Sequence, residues 1–198
     1  MRFIGNKVSK NTQLKLFKDQ PKAYGGILLK TRKGRAQGRP LSTQHSMHLV
    51  LKSSLAKGTW SFRYGKNPIK IRNIVLRFAK KYGVAINSLA NVGNHLHMQI
   101  KLNNRLAYRA FIRAITGAIA MTITGRSRWS QNNHALKEKN FKRFWDYRPF
   151  SRVIFGWKAL LSLRDYIEIN QWQGEGFGKA EARMIVARRQ TRALFNTT

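Results

Sequence analysis

The stretch Asn91-Val92-Gly93-Asn94-His95-Leu96-His97-Met98-Gln99-Ile100-Lys101-Leu102 organises the chain around it. From His95 onward apolar and polar residues alternate. Leu96, Met98, Ile100 and Leu102 form one set, and His95, His97, Gln99 and Lys101 the other. A period of two is the signature of a half-buried strand, because successive side chains point to opposite faces. Asn91, Gly93 and Asn94 supply residues suited to a tight turn just before it. Both histidines therefore share the face away from the core. Two imidazoles at i and i+2 make a half-site for a divalent metal. By itself the pair fits that reading and a merely solvated face equally well.

The bulk composition narrows the partners. The 198 residues carry 39 Lys and Arg against 7 Asp and Glu, a formal charge of +32. Such a chain repels itself and binds polyanions, with nucleic acid as the default partner. No uninterrupted apolar run approaches the ~18 residues of a membrane span, and no signal peptide is expected at the start. Cysteine is absent, which removes disulfides and thiolate metal sites and fits a cytoplasmic, nucleoid-associated protein.

The acids are Asp19, Glu138, Asp146, Asp165, Glu168, Glu175 and Glu181, with none between Gln20 and Lys137. Two-metal nucleases that rely on carboxylates need several acids over a core sheet. The first three core strands here have none. A phosphoryl-transfer site must then use histidine, amide or hydroxyl groups.

Three segments are expected. Residues 1–46 read as a basic, largely disordered arm, with the Gly25-Gly26 pair, like charge and the run Thr31 to Pro40. Within it Gln13-Leu14-Lys15-Leu16-Phe17 resembles the linear motif by which bacterial proteins dock on the replicative sliding clamp. In that reading Gln13, Leu14, Leu16 and Phe17 are the anchors; the plainer reading tucks them against the domain. Residues 47–173 form the folded domain, and residues 174–198 a basic tail with a short helix.

Within the domain, Met47 to Ser53 is a strand. Asn67-Pro68 starts a helix, with Asn67 as the cap, and Gly83 ends it. A strand from Val84 to Ala90 turns into the histidine strand. A helix spans Arg105 to Thr124, with Phe111, Ile112, Ile115, Ile119 and Ile123 as its buried stripe. After a basic insertion, 126–142, a fourth strand ends near Ile154, and a helix runs from Trp157 to Gln171. The order β-α-β-β-α-β implies an α+β, ferredoxin-like antiparallel sheet with helices on one face. Its first and third strands are neighbours, so His48 is expected near His95 and His97.

The last long helix carries Tyr166 and, one turn on, Asn170. A phenol can attack a phosphate, and an amide oxygen can complete a metal shell. Alternatively Tyr166 is an ordinary amphipathic helix tyrosine. Trp60, Phe62, Trp129 and Trp145 are candidates for base stacking, with Trp145 favoured as core.

His95-Leu96-His97 is the His-hydrophobic-His motif of the HUH endonuclease superfamily. With Asn94 before it, Phe144-Trp145 and Ser151 to Ile154 after it, and Tyr166 with Asn170, the region Met47 to Gln171 resembles the single-tyrosine transposases of the REP-associated and small insertion-sequence type. The resemblance implies Tyr166 as the nucleophile, and Mg²⁺ or Mn²⁺ held by His95, His97 and Asn170. It implies cleavage of hairpin-containing, single-stranded DNA through a 5′-phosphotyrosine link. In small insertion-sequence relatives a glutamine stands four residues after the tyrosine; here Asn170 holds that place and Gln171 is one further. Arg32, Lys33, Arg35 and Arg39 of the arm, with Lys52 and Lys101 on the strands, are the expected DNA-contacting cations. Monomer and homodimer are both open. The competing expectation is a non-catalytic, basic DNA- or RNA-binding protein on the same fold.

Overall fold

The computed structural model describes residues 24–25, 40–125, 143–146 and 148–195. The clamp-like motif at Gln13 to Phe17, the arm cations Arg32, Lys33, Arg35 and Arg39, and Trp129 lie outside these residues.

The described elements are β1 (Tyr24–Gly25), β2 (Met47–Lys52), α1 (Asn67–Tyr82), β3 (Val84–Asn91), β4 (His95–Leu102), α2 (Arg105–Thr124), β5 (Phe150–Val153), α3 (Trp157–Gly174) and α4 (Lys179–Phe195). The strands form one antiparallel sheet in the order β1-β5-β2-β4-β3. From β2 onward this is the expected βαββαβ arrangement, with β2 and β4 at its centre. The stretch expected as an arm contributes the two-residue edge strand β1, paired with Ser151 and Arg152.

One face of the sheet carries the main core. Met47, Leu49 and Leu51 of β2 and Leu96, Met98, Ile100 and Leu102 of β4 are all buried there, because period two sends them to one side. They meet Ile71, Ile74, Val75 and Ala79 of α1 and Tyr108, Phe111, Ile115, Ile119 and Ile123 of α2, which recur at helical spacing. α2 has the length and hydropathy of a membrane span, but its apolar stripe packs into this core, and Arg105, Arg109 and Arg113 interrupt its N-terminal half.

Gly83 closes α1 in the left-handed region, φ 62°, where a side chain would be strained. Asn67 is not the cap of α1. Lys66 holds that position, and the Asn67 amide instead donates to the carbonyls of Thr59 and Ser61, tying the preceding loop to the helix. Asn104 does cap α2, accepting from the Leu106 amide at 2.8 Å.

The opposite face differs from expectation. It is not open: α3 lies across it, with Leu163 and Ile167 buried against Ala90 of β3 and Ile154 after β5. A β-bulge between Ile86 and Ser88 makes this fit possible. It shifts the parity of β3, so that Leu89 turns to the α1/α2 core and Ala90 to α3. α4 is longer than the short tail helix expected. It packs on α3 and buries Ala182 and Val186.

Two of the aromatic residues considered for base stacking are core. Phe62 is fully buried, and Trp145 packs on it while its indole donates to the Thr116 carbonyl at 2.9 Å. Trp60 packs against the same core, partly buried.

Candidate active site

The sheet register sets the histidines out in a cluster. Across the β2–β4 pair, His48 faces Gln99, Val50 faces His97 and Lys52 faces His95. His48 and His97 are thus diagonal neighbours on one face, within reach for side chains of this length. Their rings lie nearly parallel, 5.3 Å apart, with His48 Nε2 3.1 Å from His97 Nδ1. His95 stands edge-on to His97 with ring centres 4.8 Å apart. On its far side, Asn94 Oδ1 lies 2.6 Å from His95 Nδ1.

Because α3 covers this face, the histidines are less wet than an exposed pair. His97 retains only 5% of its accessible surface. Burial lowers the pKa of His97 to about 3, helped by the neighbouring His95 and His48. Burial likewise brings His48 to about 4, with Arg152 adding to the effect. His95 shifts downward for the same first reason, with Lys52 second. His48 and His97 are therefore neutral at physiological pH, the form in which imidazole binds metals.

Tyr166 reaches this cluster from α3 of the same chain. Its ring stands nearly perpendicular to those of His97 and His48, at 5.4 Å and 5.8 Å between centres. It keeps 47% of its surface exposed, so a substrate can reach it while its ring rests on the histidines. Asn170 lies one turn further on, and its amide nitrogen donates back to the Tyr166 carbonyl at 2.7 Å. That contact uses the nitrogen and leaves the side-chain oxygen free of it. Gln171 is committed elsewhere: its Oε1 accepts from the Asn91 amide at 2.9 Å, and its nitrogen donates to Glu175.

The position of α3 is fixed at its C-terminal end. Asn91 is the last residue of edge strand β3. Gln171 receives its backbone N–H and Arg63 donates to its carbonyl, while its side chain donates to the Phe62 carbonyl and accepts from the Gly93 amide. Gly174 passes so close that a Cβ there would stand 2.4 Å from the Asn91 carbonyl oxygen. The same turn leads directly into Asn94, His95 and His97. One hub therefore sets both the histidine strand and the tyrosine helix.

A divalent ion fits the residues present. His97 Nε2 is buried with no hydrogen-bond partner, which is costly for a polar atom unless something binds it. Among the described residues no three His, Asp or Glu side chains are arranged as a ready metal cluster. The described acids point elsewhere: Asp146 accepts from Ser54, Asp165 pairs with Arg164, Glu168 with Arg189, Glu175 with Gln171 and Glu181 with the Gly178 amide. The donors gathered in the cluster are imidazoles; the Asn170 side chain contacts the Tyr166 carbonyl one turn back on α3.

A family model described as "Transposase IS200 like" matches residues 42–170. The chain belongs to that family. It is an HUH-type transposase, an enzyme of DNA transposition and recombination. No curated protein matches it. Among solved structures the transposase is similar to a REP-associated tyrosine transposase bound to a REP hairpin, at 14% identity and a TM-score of 0.53, over 71% of this chain and 74% of that one. A transposase candidate from Deinococcus radiodurans R1 aligns at 16% identity and a TM-score of 0.40, over 71% of this chain and 98% of that one.

The structure brings together His95, His97, Tyr166 and the expected neighbour His48. Lys52 and Lys101 of the transposase are exposed on the strands, Lys52 directly opposite His95. Sequence reasoning gave no role to Arg152, which faces His48 across the β2–β5 pair, nor to Asn94 as a partner of His95. The parity of β5 relative to β2 was the signal for Arg152. A cleft of about 520 Å³ between β3, α3 and α4 includes Ser88, Arg164 and Glu168 in its lining, but none of the histidines and not Tyr166. Tyr166 is half-exposed outside that cleft, an arrangement that suits a polymer substrate better than a small molecule.

Proposed function

We propose that this transposase cuts and rejoins single-stranded DNA beside hairpins, through a covalent bond between Tyr166 and a 5′-phosphate. The observation that carries the reading is the packing of a half-exposed Tyr166 on neutral His97 and His48 within one chain. The hairpin substrate is proposed by analogy with the REP-associated enzyme, whose structure holds a REP hairpin.

His95, His97 and the Asn170 oxygen are the residues proposed to hold Mg²⁺ or Mn²⁺. Bound there, the ion would polarise a phosphoryl oxygen and ease departure of the leaving oxygen. Tyr166 Oη attacks phosphorus and gives up its proton. The new Oη–P bond replaces the P–O3′ bond, and the departing O3′ takes a proton to become a free 3′-OH. Attack of a 3′-OH on the phosphotyrosine reverses these bond changes and joins the strands, so no nucleotide cofactor is required. His48 and His97 buttress the tyrosine ring. Lys52, Lys101 and Arg152 place positive charge on the face where the phosphates must lie.

The basic arm, 1–46, and the tail after residue 173 are proposed to add sequence-independent phosphate contacts, with Arg32, Lys33, Arg35 and Arg39 among them. Gln13 to Phe17 is proposed as a clamp-docking segment, checked by loss of sliding-clamp pull-down on changing Leu16 and Phe17 to Ala. Tyr166 meets His48 and His97 within one chain, which favours cis catalysis by a monomer; sedimentation with hairpin DNA tests this.

The function is tested by incubating the full chain with random and hairpin-containing single-stranded oligonucleotides and Mn²⁺. Denaturing electrophoresis should show a covalent protein–DNA species, absent with chelator and absent in Tyr166→Phe. Adducts that persist in that variant would remove Tyr166 as the nucleophile.

A further inference from the structure

We propose that His48 is a positioning residue: it accepts the Nδ1–H of His97 and so turns the bare Nε2 of His97 toward the metal. The inference rests on the metal-dependent reading above and adds the residue that prepares the ligand.

The hydrogen bond between His48 Nε2 and His97 Nδ1, 3.1 Å, can run in either direction. If His48 donates, a neutral His97 must carry its proton on Nε2. That nitrogen is buried with no partner, so the proton would be an orphaned donor, and no lone pair would face the ion. If His97 donates, its Nε2 lone pair is free. The unpartnered atom then becomes a ligand awaiting its ion. A metal-binding histidine ordinarily donates its other ring N–H to an acceptor that fixes its tautomer and orientation. His95 has such an acceptor in Asn94 Oδ1, at 2.6 Å. His48 is the corresponding acceptor for His97. Both Nδ1 atoms are then anchored, and both Nε2 atoms are left for the same ion.

His48 is suited to this by position. It sits diagonally across the strand pair from His97 and is wedged edge-on between Phe150 and Tyr166. Its ring cannot turn without disturbing these neighbours. Its Nε2 is already committed to His97, so it stands behind the ligand instead of acting as one. The sequence places this histidine on a strand distant from the His95-Leu96-His97 motif, joined to it only by the β2–β4 register.

The test has two readouts that need no DNA cleavage. First, the imidazole nitrogens of the metal-free, ¹⁵N-labelled full chain are assigned by long-range ¹H–¹⁵N correlation. We expect His97 protonated on Nδ1 and bare on Nε2. Protonation on Nε2 would overturn the proposal. Second, Co²⁺ alone is titrated into wild type, His48→Phe and His48→Gln, following the visible ligand-field bands. His48→Phe should weaken Co²⁺ binding by about 10- to 100-fold with band positions retained. His48→Gln, whose amide oxygen can accept the same N–H, should recover most of the loss. Unchanged affinity in His48→Phe would sink the proposal, and so would bands showing one nitrogen ligand fewer, since His48 would then be a ligand itself. Should His48→Phe not fold, the wild-type tautomer and the Gln variant still decide. Wild type that takes up no Co²⁺ defeats the metal-dependent function and the ion half of this proposal together. That failure is distinct from a wrong tautomer, which is read without metal.

Discussion

The two faces of the sheet are built on opposite terms. The face toward α1 and α2 is a continuous apolar layer in which side chains from β2 and β4 interlock with two helical stripes. Among the described residues, the face toward α3 has a small buried apolar cluster, Ala90, Ile154, Leu163 and Ile167, and carries His48, His95, His97 and Gln99 beside it. Stability should therefore reside mainly on the first face and chemistry on the second. Buried polar atoms without partners are tolerated where a ligand completes them, and the His97 nitrogen lies on the α3 face.

The largest expected effect divides the faces by chemistry. Tyr166→Phe removes one oxygen from a half-exposed side chain, so thermal unfolding should stay within about 1 °C of wild type. Covalent DNA adducts should vanish, a loss of at least about 10³-fold in strand cleavage. The converse is Phe111→Ala on the other face. Phe111 is fully buried in the main core, and its truncation should cost about 3–5 kcal/mol of folding free energy. Denaturant melts and single-turnover cleavage, measured on both variants, should show opposite patterns. A Tyr166→Phe protein as unstable as Phe111→Ala would break the distinction.

Acid should weaken the α3 face selectively. His48 and His97 have folded pKa values of about 4 and about 3, below the ordinary 6.5. The unfolded chain thus binds more protons between these values, and stability must fall as pH drops from about 6.5 toward 4. The surrounding charges, Lys52 and Arg152, are positive and oppose protonation further. Between pH 7.5 and pH 5, metal-free protein should lose about 2 kcal/mol for each of the two histidines, about 4 kcal/mol together. The double variant His48→Gln/His97→Gln should show a much flatter profile in the same melts. An equal slope in both would place the acid sensitivity elsewhere.

The sequence exposed these faces unequally. The α1/α2 core follows from periodicity, and the ends of α2 fall where Arg105, Thr124 and Gly125 suggest. The histidine strand and its neighbour β2 were legible for the same reason, since period two and the βαββαβ order leave little freedom. What could not be read depends on contacts between distant segments. Gly174 against Asn91 and the roof that α3 forms over the sheet have no local pattern. Phe62 resembled an exposed stacking residue because its loop gives no period; it is buried because that loop folds under the turn at Gly93, where the Phe62 amide bonds the Gly93 carbonyl. Asn67 was drawn away from capping by two carbonyls that only the folded loop presents.

The smallest effect tests whether the α3 face must be held in register as well as assembled. Gln171 accepts the outward N–H of edge residue Asn91, and no apolar contact is needed to explain its place. Gln171→Ala leaves that N–H without its protein partner at the rim of the domain, where water can replace it in part. The expected cost is about 1 kcal/mol in stability. The effect on cleavage should be larger than that figure suggests, about 10-fold, because Tyr166 and Asn170 ride on the same helix and a small shift misplaces both. Gln171→Glu paired with Glu175→Gln keeps both the acceptor oxygen toward Asn91 and the contact with residue 175, and should restore most of the cleavage rate. Hydrogen exchange at the Asn91 amide gives the independent measure: it should accelerate in Gln171→Ala, while amides of β2 and β4 keep their protection. If cleavage fell with no change in Asn91 exchange, Gln171 would be acting on the substrate and not on the helix.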